Sequence, residues 1–261
     1  VVERDFVALD GYQLVPRLLH DIQLVDTRLE LLGVNLPSPI VPRLLGGQPA
    51  PRDRLGLVDA ERLLTDPESQ WPAVILPLIG TAKMGQLMPK VRRLAALGIS
   101  GLVLDVTSLA ETPPYGSGEW RPRTREDLAE LRAAAGCPLW LYGVGSAADA
   151  EVAAEAGLEG IVVHSGAGVY LGGPGAIEVL PEVFDAVAGM IGIYAGGPVR
   201  SGIDVFRYLA VGAEAVVVES DRSVTNLELE LHYAMRLTGC ETLGDIGYEA
   251  IFAPLFEELP G

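Results

Sequence analysis

The chain has 261 residues, 49% of them hydrophobic, so it is long enough to bury a full core without staples and too apolar to be disordered. Its formal net charge of −16 and pI of about 4.5 disfavour a polyanionic partner, which excludes nucleic acid as a ligand and reads otherwise as a means of solubility. The apolar runs are short and broken by Gly, Pro or charge, none approaching the roughly 20 residues of a membrane helix.

From the N-terminus, "VVERDFVALDGYQ" shows no basic segment followed by an apolar one, so no signal peptide is expected. Strand-like runs then recur: "SPIVPRLL" at 38–45, the weaker "RLGLV" at 54–58, "AVILPLIG" at 73–80 and "SGLVLDVTS" at 100–108. They continue with "PLWLYGVG" at 138–145, "GIVVHSG" at 160–166, "IGIYAGG" at 191–197 and "AVVVESD" at 215–221. Their near-continuous apolar character fits strands buried on both faces of a parallel sheet.

Between them lie "KMGQLMPKVRRLAALG", "TREDLAELRAAAG", "SAADAEVAAEAG", "IEVLPEVFDAVAG" and "GIDVFRYLAVGA". Each spaces its apolar residues by three and four, and most stop at Gly. Thr124 and Ser146 are placed as helix N-caps. Eight strands alternating with helices predict an α/β fold, a (β/α)₈ TIM barrel; a doubly wound open sheet is the rival. Two connections break the pattern. "GGQPAPRDR" after the first strand is too short and too broken for a packing helix, and "LAETPPYGSGEWRPR" after the fourth is an irregular loop. A single domain is expected, with an arm over 1–37, the barrel over 38–221 and a helical tail over 222–261. Cys137 and Cys240 have no metal spacing and are expected to be reduced and buried, as in a cytoplasmic protein.

The arm "ERDFVALDGYQLVPRLLHDIQLVDTRLELLGVNLPSPI", the stretch "GCPLWLYGVGSAADAEVAAEAGLEGIVVHSG", the turn "GGPVRSGIDVFRYLAVGAEAV" and the tail "LELELHYAMRLTGCETLGDIG" together resemble the FMN-dependent α-hydroxy-acid oxidases and dehydrogenases. The middle, 45–125, matches only strand after strand. The resemblance implies a barrel that binds FMN and oxidises 2-hydroxy acids, commonly as a tetramer. That chemistry needs a base, a guanidinium clamp for the carboxylate, a cation beside the flavin and a phosphate cradle.

Carried over position by position, the machinery is missing. Gly166 stands at the base position and Val169 at the clamp. His164 lies two residues early, a displacement of about 6–7 Å along a strand. Tyr142 replaces the flavin-side lysine and is expected to be an aromatic plug at the mouth. Leu76, Leu78 and Asp105 replace polar contacts to the ring. At the phosphate turn Ala195 replaces an aspartate and Pro198 is inserted, removing an N–H. Glu219 and Ser220 replace a Gly-Arg pair, and two negative charges about 4–6 Å apart repel by around 3–4 kcal/mol. Gly197, Arg200, Ser201 and Gly202 remain as phosphate candidates; Asp105, Tyr142 and His164 are the weak catalytic candidates. With Tyr194 and Glu219 they are expected near the C-terminal strand ends, where barrels place their chemistry.

The leading expectation is a degenerate, pseudoenzyme member of this family. It has given up FMN and keeps a binding or assembly role as a homo-oligomer or beside an active relative. The alternatives are an active FMN-dependent oxidoreductase with an altered site, or a barrel repurposed for another ligand or a metal, although no metal motif is present.

Overall fold

The computed structural model describes residues 2–44, 54–65, 74–80, 83–107, 122–166, 172–219 and 222–253. The arm holds α1 (Val2–Asp10), β1 (Gln13–Leu14), β2 (Leu29–Leu31) and β3 (Val34–Leu36). The barrel begins with β4 (Ile40–Leu44), β5 (Leu55–Asp59), α2 (Ala60–Thr65), β6 (Val74–Gly80), α3 (Met84–Ala95), β7 (Leu102–Asp105) and α4 (Arg125–Ala135). It continues with β8 (Leu139–Val144), α5 (Ala147–Glu155), β9 (Gly160–Val163), α6 (Ala176–Val187), β10 (Gly192–Gly197), α7 (Gly202–Ala210) and β11 (Ala215–Val218). The tail carries α8 (Val224–Thr238) and β12 (Ile251–Phe252).

Strands β4 to β11 pair in parallel and close on themselves, with β11 beside β4. The predicted TIM barrel is the architecture found, and the open-sheet rival is excluded by that last pairing. All eight predicted strand runs form barrel strands, the weak one included. Two short helices went unpredicted. α1 lies in the arm, and α2 follows β5 as six residues, too brief for a repeating apolar stripe. The irregular connections predicted at 46–54 and 109–123 fall largely outside the described residues.

Helix starts follow local chemistry. The Thr124 hydroxyl accepts the Asp127 N–H at 3.2 Å while the Asp127 carboxylate accepts the Thr124 N–H, a reciprocal capping box. Ser146 caps α5 through the Asp149 N–H.

Strand alternation divides the core in two. Leu9, Leu104, Ile161, Ala195 and Val216 lie among the residues that pack the barrel against its helices. Val41, Leu57, Leu76, Leu78, Val103, Trp140, Tyr142, Val162, Tyr194 and Val217 face inward. The interior is filled: a gap of only ≈ 20 Å³ remains among its apolar side chains. Trp140 fits because Gly160 offers no Cβ, which would stand 2.4 Å from the indole nitrogen. At the opposite end from the C-terminal mouth, hairpin β2–β3 turns at Leu32 and Gly33, both with positive φ, and packs Leu29, Leu31 and Val34 against the interior. The arm is tied to the tail by the β1–β12 pair.

Cys240 is buried as expected, whereas Cys137 is only half-buried because it sits just past α4, before β8 begins; neither forms a disulfide. No described helix is long and apolar enough to cross a membrane.

Candidate functional site at the barrel mouth

The period of two that sends Val41, Val103, Val162 and Val217 inward also carries Arg43, Asp105, His164 and Glu219, each two residues further on, to the C-terminal rim of the same face. Tyr142 joins them from β8. A bulge in β8 between Tyr142 and Val144 shifts the register there, and Gly143 takes φ of 102°. A Cβ on Gly143 would stand 2.5 Å from the Thr107 methyl, so the bend needs glycine.

Four of these side chains form one connected group. The Tyr142 hydroxyl donates to Glu219 Oε1 at 2.6 Å, crossing β9 and β10 to reach it. Arg43 Nη1 donates to the same oxygen in an ion pair whose two side chains are each 26% exposed. The Arg43 guanidinium lies 5.5 Å from the centre of the Tyr142 ring, and the His164 ring centre lies 4.9 Å from it. Tyr142 itself is fully buried, the aromatic plug anticipated above.

The electrostatics follow. Burial pushes the Tyr142 hydroxyl far above its ordinary value, and the neighbouring Glu219 charge pushes it further, so it stays a donor. Burial also opposes ionisation of Glu219, but the Tyr142 hydroxyl and Arg43 outweigh it and hold the carboxyl below its usual range. His164 is depressed by burial and stays neutral at pH 7. Its Nδ1 accepts the Gly166 N–H at 2.9 Å, so the neutral ring carries its proton on Nε2. That nitrogen is a donor and not a base. Asp105 Oδ1 accepts the Thr107 N–H at 2.8 Å and hydroxyl at 2.6 Å. The three weak catalytic candidates therefore do meet at one rim. Arg43, which sequence reasoning passed over, is the cation that neutralises Glu219.

Tyr194 does not join them. It points into the barrel interior, back along β10, with its hydroxyl 2.9 Å from where a Cβ on Gly192 would sit. Its position in the third place of the strand puts it below the rim. Leu76 and Leu78 are buried in the same interior, and Ala195 faces the helices. Val169 and Ser220 lie outside the described residues.

The glycine turn between β10 and α7 is occupied by the protein's own groups. Arg200 Nη2 meets Asp10 at 2.6 Å and Asp204 at 3.0 Å, and the guanidinium lies 4.5 Å from the Phe6 ring centre. The backbone N–H of Arg200 goes to Asp204, and that of Gly202 to Glu230 Oε2 at 2.8 Å. Gly202 is glycine for packing: a Cβ there would stand 2.3 Å from the Leu227 carbonyl and the Leu231 nitrogen of α8. Gly197 has φ of 142°, and a Cβ there would meet only ordinary contacts, the nearest the Tyr208 hydroxyl at 3.7 Å. Among the four phosphate candidates, Ser201 alone keeps a polar side chain without a partner among the described residues.

A closed parallel barrel with polar residues gathered at its C-terminal rim defines a (β/α)₈ protein whose site lies where this architecture places ligands. Residues 110–253 match the model of the FMN-dependent dehydrogenase family, and the chain belongs to that family. It is 28% identical to the L-lactate oxidase of Alicycliphilus denitrificans, over 94% of this chain and 86% of that one. It is 26% identical to the peroxisomal (S)-2-hydroxy-acid oxidase GLO4 of Oryza sativa subsp. japonica, over 88% and 82%. In fold it is similar to mandelate oxidase bound to 3,3-difluoro-2-hydroxy-3-phenylpropionic acid, with a TM-score of 0.78 at 24% identity, covering 97% of this chain and 90% of that one.

Against FMN, the family's cofactor, the described residues fit poorly. A phosphate at the turn would have to draw Arg200 from two carboxylates and find no N–H on Pro198. At the ring's end, where a cation is needed, the Tyr142 hydroxyl is committed to Glu219, and the neighbouring Arg43 guanidinium is paired with the same carboxylate.

Proposed function

We propose that this protein keeps the family's barrel and has given up FMN-dependent oxidation of 2-hydroxy acids. What remains is a binding role at the mouth, exercised in the cytoplasm by a homo-oligomer or beside an active relative. The observation that carries this reading is the bond between Tyr142 and Glu219, shared with Arg43, which spans the mouth with groups paired to one another. A neutral His164 with its proton on Nε2 supports it, because hydride removal from the α-carbon of a hydroxy acid needs a base to take the hydroxyl proton.

The test is direct. Protein purified without added cofactor should be colourless, should not take up FMN at micromolar concentration, and should not oxidise lactate, glycolate or mandelate. A yellow protein with flavin absorption bands that turns over any of these acids overturns the proposal. It would favour the second reading, an active oxidoreductase with an altered site. Arg43 supports that reading, since it brings to the rim the cation that Tyr142 does not. A repurposed metal enzyme draws no such support: among the described residues no three His, Cys, Asp or Glu side chains converge as ligands.

A further inference from the structure

We propose that the barrel mouth binds a small ligand carrying an ammonium next to a carboxylate, an α-amino acid in place of the α-hydroxy acid its relatives' names describe. The inference rests on the reading of the mouth as a binding site and adds the chemical class it accepts.

The first argument is charge. Among the described residues, the charged groups that act most on His164 are Glu219, Asp5, Arg43 and Asp105, three carboxylates and one guanidinium. By formal count these described groups carry more negative than positive charge, in a protein whose formal charge is −16. An α-hydroxy acid enters as an anion and adds a like charge. An α-amino acid of the same size enters with no net charge and brings an ammonium to the acidic side.

The second argument is the set of groups left over after the internal bonds are made. Glu219 spends Oε1 on both Tyr142 and Arg43, and its Oε2 has no partner among the described residues. Arg43 spends one N–H on Glu219 and keeps the rest of its fork. His164 spends Nδ1 on Gly166 and keeps Nε2–H. The rim thus offers one charged acceptor, suited to an ammonium, and two donors, suited to a carboxylate. Arg43 and His164 flank the buried Tyr142 ring at 5.5 Å and 4.9 Å from its centre, and the Arg43 and Glu219 side chains keep part of their surface at the rim, so the three lie within reach of one small ligand seated there. Glu219 is reached from the same tyrosine through its hydroxyl.

The experiment compares pairs that differ only in the group on the α-carbon: L-alanine with L-lactate, and glycine with glycolate. Binding is read by thermal shift across the twenty amino acids and by calorimetry for the pairs, at low salt and neutral pH. At least one amino acid should bind, and more tightly than its hydroxy-acid partner by about tenfold or more. Glu219→Gln should erase that preference, and Asp105→Asn, which leaves the Tyr142 bond intact, should weaken it. Ethylamine, which lacks the carboxylate, should bind more weakly than L-alanine. Hydroxy acids binding as tightly as amino acids, no amino acid binding at millimolar concentration, or a preference unchanged in both variants would each overturn the inference. Parallel spectra separate the two readings: a yellow, lactate-oxidising protein defeats the proposed function, and a colourless protein indifferent to every amino acid defeats this inference alone.

Discussion

Tyr142 and Glu219 meet at 2.6 Å although they leave strands separated by two others and stand 77 residues apart in the chain. The same Glu219 oxygen accepts from Arg43, so one carboxylate joins three strands at the rim. A buried hydroxyl and one N–H of a partly buried guanidinium share a single charged acceptor, which is how a charged layer survives above an apolar barrel.

Removing the hydroxyl alone tests that joint. Tyr142→Phe should keep the ring and lose the bond, costing about 1–2 kcal/mol, the lower part of the range for hydrogen bonds to charged groups because Glu219 is partly exposed. For a chain of this length that is roughly 2–8 °C in Tm. Urea unfolding, followed in parallel with Tyr142→Phe/Glu219→Gln, should show that the two losses do not add.

Removing the cation should cost more. Arg43→Met leaves Glu219 charged and half-paired, and about 2–4 kcal/mol of stability should go, less than for a fully buried pair. Arg43→Met/Glu219→Gln should recover part of it. A single variant as stable as the parent would show the ion pair to be idle.

The pH profile carries a sign. Glu219 is held below the ordinary carboxylate range in the fold, so the unfolded chain takes up its proton first. Its contribution is fully present above the unfolded glutamate pKa, about 4.3, and is lost as pH falls further, through the folded value. Unfolding free energy measured from about pH 6 to pH 3 should fall less steeply in Glu219→Gln than in the parent.

The two glycines of the phosphate turn should respond differently. Gly202→Ala drives a Cβ into the α8 backbone at 2.3 Å, and loss of about 3 kcal/mol or failure to fold is expected. Gly197→Ala meets nothing closer than 3.7 Å and suffers only its φ of 142°, about 1–3 kcal/mol. Expression level and thermal midpoint of the two variants check the order.

The ring state of His164 is measurable as well. Nitrogen-15 spectra should show Nδ1 unprotonated and Nε2 protonated at pH 7, with the ring neutral. A ring protonated on both nitrogens at that pH would contradict the described rim.

Much of this was legible along the chain. Apolar runs of strand length, helical spacing between them and glycine stops are local signals, and they placed all eight barrel strands. Thr124 and Ser146 announced their helices because capping is settled within four residues. Asp105, Tyr142 and His164 could be put at strand ends by counting. Arg43 could not be recognised: an arginine inside "SPIVPRLL" looks like any other, and its partner Glu219 lies 176 residues away. Only closure of the barrel, with β11 laid beside β4, brings the two together. The same holds for Arg200, whose cation was visible but whose capture by Asp10, 190 residues earlier, depends on how α1 lies against the turn. Periodicity is a property of neighbours in sequence, so it determined the strands and helices and their alternation; closure and charge pairing are properties of neighbours in space, so only the tertiary structure decided what the mouth can hold.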